Sequence, residues 1–223
     1  MGKVTGILFD SGLRVGPEPP ATVLYDKSRY RINGDFRSDG HPDWVELPNG
    51  LWAMDFDPGT PDYVTIPASY TQLDFTHEAF SIIARIRLDT LTTYSKIFCR
   101  GLINADGYYL GLSTAGSLSL TTSQAAAYQN SKSDDGEILT DAMYTLGCSR
   151  EGTSAKVFKN GVDVTTTSGT HQDPTTSARA AKIGVYDDNS LPIDGKIVFF
   201  RIYKYALSAG QHRNKHTELS ESV

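Results

Sequence analysis

The sequence predicts an all-β protein: a two-sheet antiparallel sandwich closed by one short C-terminal helical turn. Three observations carry this. Apolar and polar residues alternate with period two over short segments, and no stretch sustains a long helical stripe. Gly, Asn, Asp and Pro separate these segments at the spacing of a dozen or so short strands. The acids are lopsided, 19 Asp against 7 Glu, and Asp favours turns and caps where Glu favours helices.

Residues 4–9 read as the first strand. The segment VGPEPP, residues 15–20, reads as a loop rather than a linker, because a lone strand before it could not satisfy its backbone hydrogen bonds. Residues 63–67 form a further candidate. In FSIIARIRL, Phe80, Ile82, Ala84, Ile86 and Leu88 share one face while Ser81, Arg85, Arg87 and Asp89 share the other, the pattern of a half-buried strand. Residues 97–100 follow, then GYYLGLSTAGSLSLTT, a hairpin turning near Ala115-Gly116. After residues 144–150 comes AKVFKNGVDVTT, where Asn160-Gly161 accepts the positive φ angles of a type I′ turn. Residues 182–185 precede the final strand.

That strand, within DGKIVFFRIYKYALSAGQ, holds Ile197, Phe200 and Ile202 as core positions, and the spacing of three requires an irregularity. Its neighbours Val198 and Phe199 point to opposite faces, so at least one leaves the core unless the strand is bulged. Ser208 and Gln211 match a capping box, which starts the helical turn with Leu207 as its anchor. The expected organisation is a single domain over residues 1–212 and a polar, frayed tail over 213–223.

A formal charge of −5 without a basic cluster argues against nucleic acid as a partner. No apolar run approaches the roughly 18 residues that a bilayer-spanning helix needs, so membrane insertion is not expected. The opening MGKVTGILFDSG lacks the features of a secretory signal, and the chain is expected to be made without one. Cys99 and Cys148 both sit in apolar strand-like runs, where burial as small hydrophobes is a simpler reading than a disulfide or a reactive thiol.

Seven motifs in order now carry a resemblance. Asp26-Lys27-Ser28 with Asn33-Gly34, Met54-Asp55-Phe56-Asp57, and Asp62-Tyr63-Val64-Thr65-Ile66-Pro67 form the first three. Phe80-Ser81-Ile82 through Ile86 comes next, with Arg85 where Trp is usual, then Val157-Phe158-Lys159-Asn160-Gly161. Lys182-Ile183-Gly184, and Gly195-Lys196-Ile197 through Arg201-Ile202-Tyr203-Lys204-Tyr205-Ala206-Leu207-Ser208, complete the series. Together they resemble the laminin-G-like, concanavalin A-like lectin/glucanase jelly rolls of the bacterial and viral type. The resemblance implies a jelly-roll fold, which hosts lectins, glycosidases, receptors and virion parts alike.

Catalysis is not expected. Glycosidases on this fold carry Glu-x-Asp-x-x-Glu on one strand, and no Glu of this chain has Asp two positions later. No catalytic residue is therefore assigned. No cofactor is expected either: residues 55–62 and 187–189 offer oxygens that calcium could use, but Asx-turns are their simpler use. His212 and His216, four apart, read as solvated residues of the tail rather than metal ligands.

Sugar binding needs aromatic platforms and hydroxyl-matching polar groups. Leu118 and Leu120 point inward, so Ser117, Ser119 and Thr121 line the opposite face, and the following loop offers Tyr128, Gln129 and Asn130. Trp44 and Trp52 read as packing residues. Val198 and Phe199 supply the candidate interface, an apolar patch for self-association or docking on a larger assembly. The expected function is a non-catalytic binding or assembly module, which the resemblance places among virion surface components of bacteriophages, as a capsid decoration or fibre part. The alternative is a carbohydrate-binding module associated with a polysaccharide-active enzyme, with glycans as partners.

Overall fold

In the computed structural model, residues 6–14, 16, 22–36, 40–91 and 94–221 are described; the loop expected at 15–20 and the start of the first strand lie largely outside them. Turn residues cut the chain into short strands. The first are β1 (Ile7–Asp10), β2 (Val23–Leu24), β3 (Gly34–Phe36), β4 (Asp43–Glu46), β5 (Trp52–Phe56) and β6 (Val64–Ile66). After a 3-10 turn at Thr71–Leu73 come β7 (Phe80–Leu88), β8 (Lys96–Leu102), β9 (Asp106–Leu112), β10 (Leu118–Gln124) and β11 (Ala127–Lys132). Then follow β12 (Met143–Glu151), β13 (Ser154–Lys159), β14 (Val162–Asp163), β15 (Thr167–Ser168), β16 (Ala181–Ile183), β17 (Gly195–Tyr203) and the helix α1 (Ala209–Glu221).

The strands pair antiparallel in two sheets. One has eight strands in the order β14-β13-β12-β7-β17-β5-β4, with β1 also on β17; the other has nine, in the order β15-β11-β10-β9-β8-β16-β6-β3-β2. The apolar positions of both sheets meet in one core. Phe80, Ile82, Ala84, Ile86 and Leu88 of β7 lie there as their alternation requires, opposite Phe98, Leu110, Leu118 and Leu120. Phe75 stacks on Phe80 at 4.7 Å and Phe98 on Phe200 at 5.5 Å, so aromatic contacts bridge the two layers. Asn160 (φ 49°) and Gly161 (φ 77°) make the turn between β13 and β14 with the positive angles that a type I′ turn needs.

The early Asp-x-Ser motif pins the edge of the sandwich. Asp26 is fully buried; its carboxylate accepts from the amides of Asp10 (2.9 Å), Ser28 (2.7 Å) and Ile32 (2.8 Å) and from the Ser28 hydroxyl (2.6 Å). Four donors replace the water that a buried carboxylate loses, and they tie the loop before β3 to β1.

The final strand carries the expected irregularity. Its register against β7 shifts between Ile197 and Phe199, so Val198 is an extra residue, and Ile197, Phe200 and Ile202 all reach the core. Val198 and Phe199 both leave that core, yet neither forms a surface patch. Val198 is covered by Leu51 and Ala53 with Val45, Leu47 and Met143 around them. Phe199 packs with Ile83, Tyr203, Leu207 and Leu219, and the Arg201 guanidinium lies 4.5 Å from its ring centre. The interface expected at these two residues is therefore corrected: the chain itself covers both.

What covers Phe199 is the second correction. The C-terminal segment is not a single turn with a frayed tail but a 13-residue helix docked on the outer face of the eight-stranded sheet. Ser208 and Gln211 form the expected reciprocal cap, at 2.8 and 3.3 Å. His212 and His216, expected to be solvated, instead join Leu219 in an i, i+4, i+7 stripe facing the sheet. His212 stacks on Phe158 at 3.8 Å and shares a hydrogen bond with the Ser149 hydroxyl at 2.8 Å; His216 meets the Thr145 hydroxyl at 3.0 Å. The polar face expected for β7 is correspondingly buried: Ser81 accepts from the Leu207 amide at 2.8 Å and donates to the Tyr205 carbonyl at 2.9 Å.

Phe199→Ala is expected to lower stability by about 3–5 kcal/mol, the usual cost of emptying a packed aromatic site, in a chemical denaturation series. An exposed contact residue would leave stability nearly unchanged. Acid provides a second check. Burial pushes the His212 imidazole down to about 3 and that of His171 down to about 4. A folded pKa below the unfolded value near 6.5 means that the unfolded chain binds more protons; this stability is full above pH 6.5 and is lost as pH falls towards 4 and 3. The loss is up to about 1.4 kcal/mol per pH unit for each histidine, and His212→Gln is expected to flatten that slope in melts recorded from pH 7 to 4.

Candidate functional site

The helix packs on part of the outer face of the eight-stranded sheet, while the outer face of the nine-stranded sheet carries a groove. Period two decides which side chains stand there. Pairing places Lys96, Gly111, Ser119 and Lys132 in one row across β8 to β11, and Tyr109, Thr121 and Asn130 in the next. Small residues at Gly111, Ser117 and Ser119 lower the floor between taller neighbours. The result is a groove of about 350 Å³, within the range of ligand clefts. Ser117 and Thr121 are buried in its floor, while Tyr94 (61% exposed) and Tyr128 (50% exposed) stand beside it.

Five of the six residues expected to bind sugar meet in this groove: Ser117, Ser119, Thr121, Tyr128 and Asn130. Gln129 does not. It lies on the opposite face, where its carbonyl oxygen accepts from the Thr122 hydroxyl at 3.4 Å and the Gln172 amide at 3.2 Å. The reason is that residues 128–130 belong to a strand, β11, and not to a loop. A tight turn with Ala126 at φ 62° folds it back on β10, and alternation then separates Gln129 from its neighbours. Behind it the buried His171 holds β10 to β11, bonded to Thr122 at 2.8 Å and Ser131 at 2.9 Å. In the groove the side-chain oxygen of Asn130 is buried and has no hydrogen-bond partner among the described residues.

The residue that the sequence reading missed is Lys96. It is 6% exposed, and its ammonium donates to the Tyr94 carbonyl at 2.6 Å. The charge lies 4.7 Å from the centre of the Tyr109 ring and 5.8 Å from that of Tyr186, two rings set edge to face. Gly111 makes room for it: a Cβ there would stand 2.9 Å from the Lys96 side chain and 2.7 Å from the Ser95 carbonyl. Burial holds the ammonium down to about 8. Tyr109 was within reach of the sequence, since the hairpin turning at Ala115-Gly116 sets it opposite Thr121. Lys96 was not, because a lysine at the head of an apolar run reads as a solvated strand end.

Other candidates have local partners. Asp57 accepts from the Gly59 amide at 2.8 Å and Asp188 from the Ser190 amide at 3.0 Å, the turns expected for these loops. Lys196 bridges Asp55 at 2.9 Å and Asp89 at 3.0 Å in a cleft rich in aspartates. Among the described residues no group of three or more His, Cys, Asp or Glu is arranged to hold a metal ion. Cys99 and Cys148 are buried and unbonded to each other, and burial pushes both thiols up to about 12. Trp44 packs against Phe36 at 6.1 Å, under the Arg14 guanidinium, as a packing residue should.

A family model described as the concanavalin A-like lectin/glucanases superfamily matches residues 58–211. No curated protein sequence matches the chain. Among solved structures, domain 4 of an extracellular arabinanase from Geobacillus stearothermophilus, in complex with arabinotriose, is similar with a TM-score of 0.67 at 18% identity. The match covers 94% of this chain and 97% of that one. The binding domain of Paraclostridial Mosquitocidal Protein 1 gives a TM-score of 0.73 at 12% identity, over 96% of this chain and 52% of that one. The binding domain of botulinum neurotoxin DC, in complex with rat synaptotagmin II, gives 0.68 at 13%, over 96% and 52%. The chain thus spans about half the length of these toxin domains.

Lys96 offers a direct check on the groove. Its side-chain carbon resonances are expected to titrate near pH 8 rather than 10.5. A folded pKa below the unfolded one also means that the charge costs stability at pH 7, by up to about 3 kcal/mol at 1.4 kcal/mol per unit. Lys96→Met should therefore melt at or above the wild-type temperature; a marked loss would make the ammonium a stabilising strut instead.

Proposed function

This chain belongs to the concanavalin A-like lectin/glucanase superfamily, and from that membership we propose that it is a non-catalytic glycan-binding module whose site is the groove across β8 to β11. The observation that carries the reading is the groove's make-up. Two exposed tyrosines flank a floor of small hydroxyl residues, and the Asn130 oxygen lacks a partner among the described residues. Sugar rings present apolar faces that stack on aromatic side chains and hydroxyls that need donors and acceptors in fixed places. Likeness to an arabinanase domain solved with arabinotriose supports the same reading.

The non-catalytic part rests on chemistry. Hydrolysis of a glycosidic bond uses two carboxyl groups about 5–9.5 Å apart, and among the described residues lining the groove Asp135 is the one carboxylate. The expectation of a phage virion component rested on the resemblance, and the apolar patch expected to serve assembly was Val198 with Phe199. Both are covered, so the glycan reading takes precedence.

Titration calorimetry with arabinotriose and a panel of neutral and acidic oligosaccharides tests this. Tyr128→Ala should weaken binding tenfold or more, about 1.4 kcal/mol, with the melting temperature unchanged because the ring is half exposed. Absence of binding to any glycan at millimolar concentration, or binding that survives the Tyr94→Ala/Tyr128→Ala double variant, would sink the proposal.

A further inference from the structure

We propose that the groove selects glycans that carry a carboxylate, with the Lys96 ammonium as the counter-ion of that group. The inference rests on the glycan reading and specifies its ligand class. A lysine buried to this degree normally faces a carboxylate, because an ammonium out of water needs an opposite charge. Lys96 faces a carbonyl and two aromatic rings instead, and among the described residues no carboxylate pairs with it. Tyr94 O engages one of its three donors, leaving two for a ligand in the groove it lines.

The surroundings agree. The chain carries a net charge of −5, yet the charged groups lining the groove are Lys96, Lys132 and Asp135, one positive charge in balance. Lys132 and Asp135 are exposed, where water screens them; Lys96 is the cation held at low dielectric, where a paired charge counts most. Burial lowers its affinity for protons, and no carboxylate among the described residues offsets that burial. Tyr128, three strands away on β11, supplies a stacking face in the same groove, and Ser119 and Asn130 supply hydroxyl and amide groups between them. A single buried ammonium on a shaped floor suits one carboxylate, as on a uronic or sialic acid unit.

The test compares ligands that differ only in charge. Trigalacturonate and its methyl ester share shape and hydroxyls, as do sialyllactose and its methyl ester. Calorimetry at pH 7 should give at least tenfold tighter binding for the acid than for its ester. Lys96→Met should bring the two affinities together, and Lys132→Met should keep them apart. Equal affinities for acid and ester in the wild type overturn the inference, as does a preference that survives Lys96→Met or vanishes in Lys132→Met. Binding of arabinotriose, lost in Tyr128→Ala, with no gain for any acidic sugar would leave the glycan reading standing and remove this one. Failure of every glycan, neutral or acidic, would remove both.

Discussion

One extra residue in one strand sets the plan of this molecule. β17 lies between β7 on one side and β5 and β1 on the other, so its facing decides the facing of the whole eight-stranded sheet. With Val198 bulged out of register, Ile197 and Phe200 both enter the core, although three positions separate them. The same step turns Phe199 and Tyr203 outward, and these rings form the bed on which Leu207 and Leu219 settle. The helix exists where it does because the strand before it changes phase. Its docking covers part of one outer face of the sandwich.

The groove follows from a different use of the same rules. A strand face becomes concave where side chains shrink, and Ser119 of β10, paired with Gly111 of β9, shrinks it here with Ser117 alongside. Lys96 then lies along the glycine instead of standing in water. Burial lowers the pKa of this ammonium, so its charge is held where the fold gains least from it. Departures of this kind concentrate where a protein meets a ligand.

Much of the fold was legible in the sequence because apolar alternation speaks for itself. β7 and the phase change in β17 show as patterns of large apolar residues, and the hairpin at Asn160-Gly161 as a turn signal. Elements held by polar contacts did not show. The sheet-facing stripe of α1 consists of His212, His216 and Leu219, and two imidazoles in a polar stretch resemble a solvated tail. β11 carries almost no apolar residues; it is kept in the sheet by backbone pairing and by His171 reaching Thr122 and Ser131. Reading β11 as a loop also misplaced Gln129, because period two applies only to a strand. The site was legible where it lay on one hairpin arm. It was hidden where Lys96 had to cross from β8 onto the neighbouring strand, since that neighbour is set by topology.

The order of synthesis gives the bulged strand a further meaning. β17 occupies the middle of its sheet yet emerges after sixteen other strands, and its ion pair between Arg201 and Asp10 joins residues 191 positions apart. Until it arrives, β7 and β5 each present an unpaired edge, and among the described residues β1 has no other neighbour in the sheet. Closure of such distant pairings is slow, and bare edges recruit other chains. Nascent or thermally opened chains of this protein should therefore be most prone to aggregate when β17 is missing, and a chaperone would find its binding surface in the gap between β7 and β5.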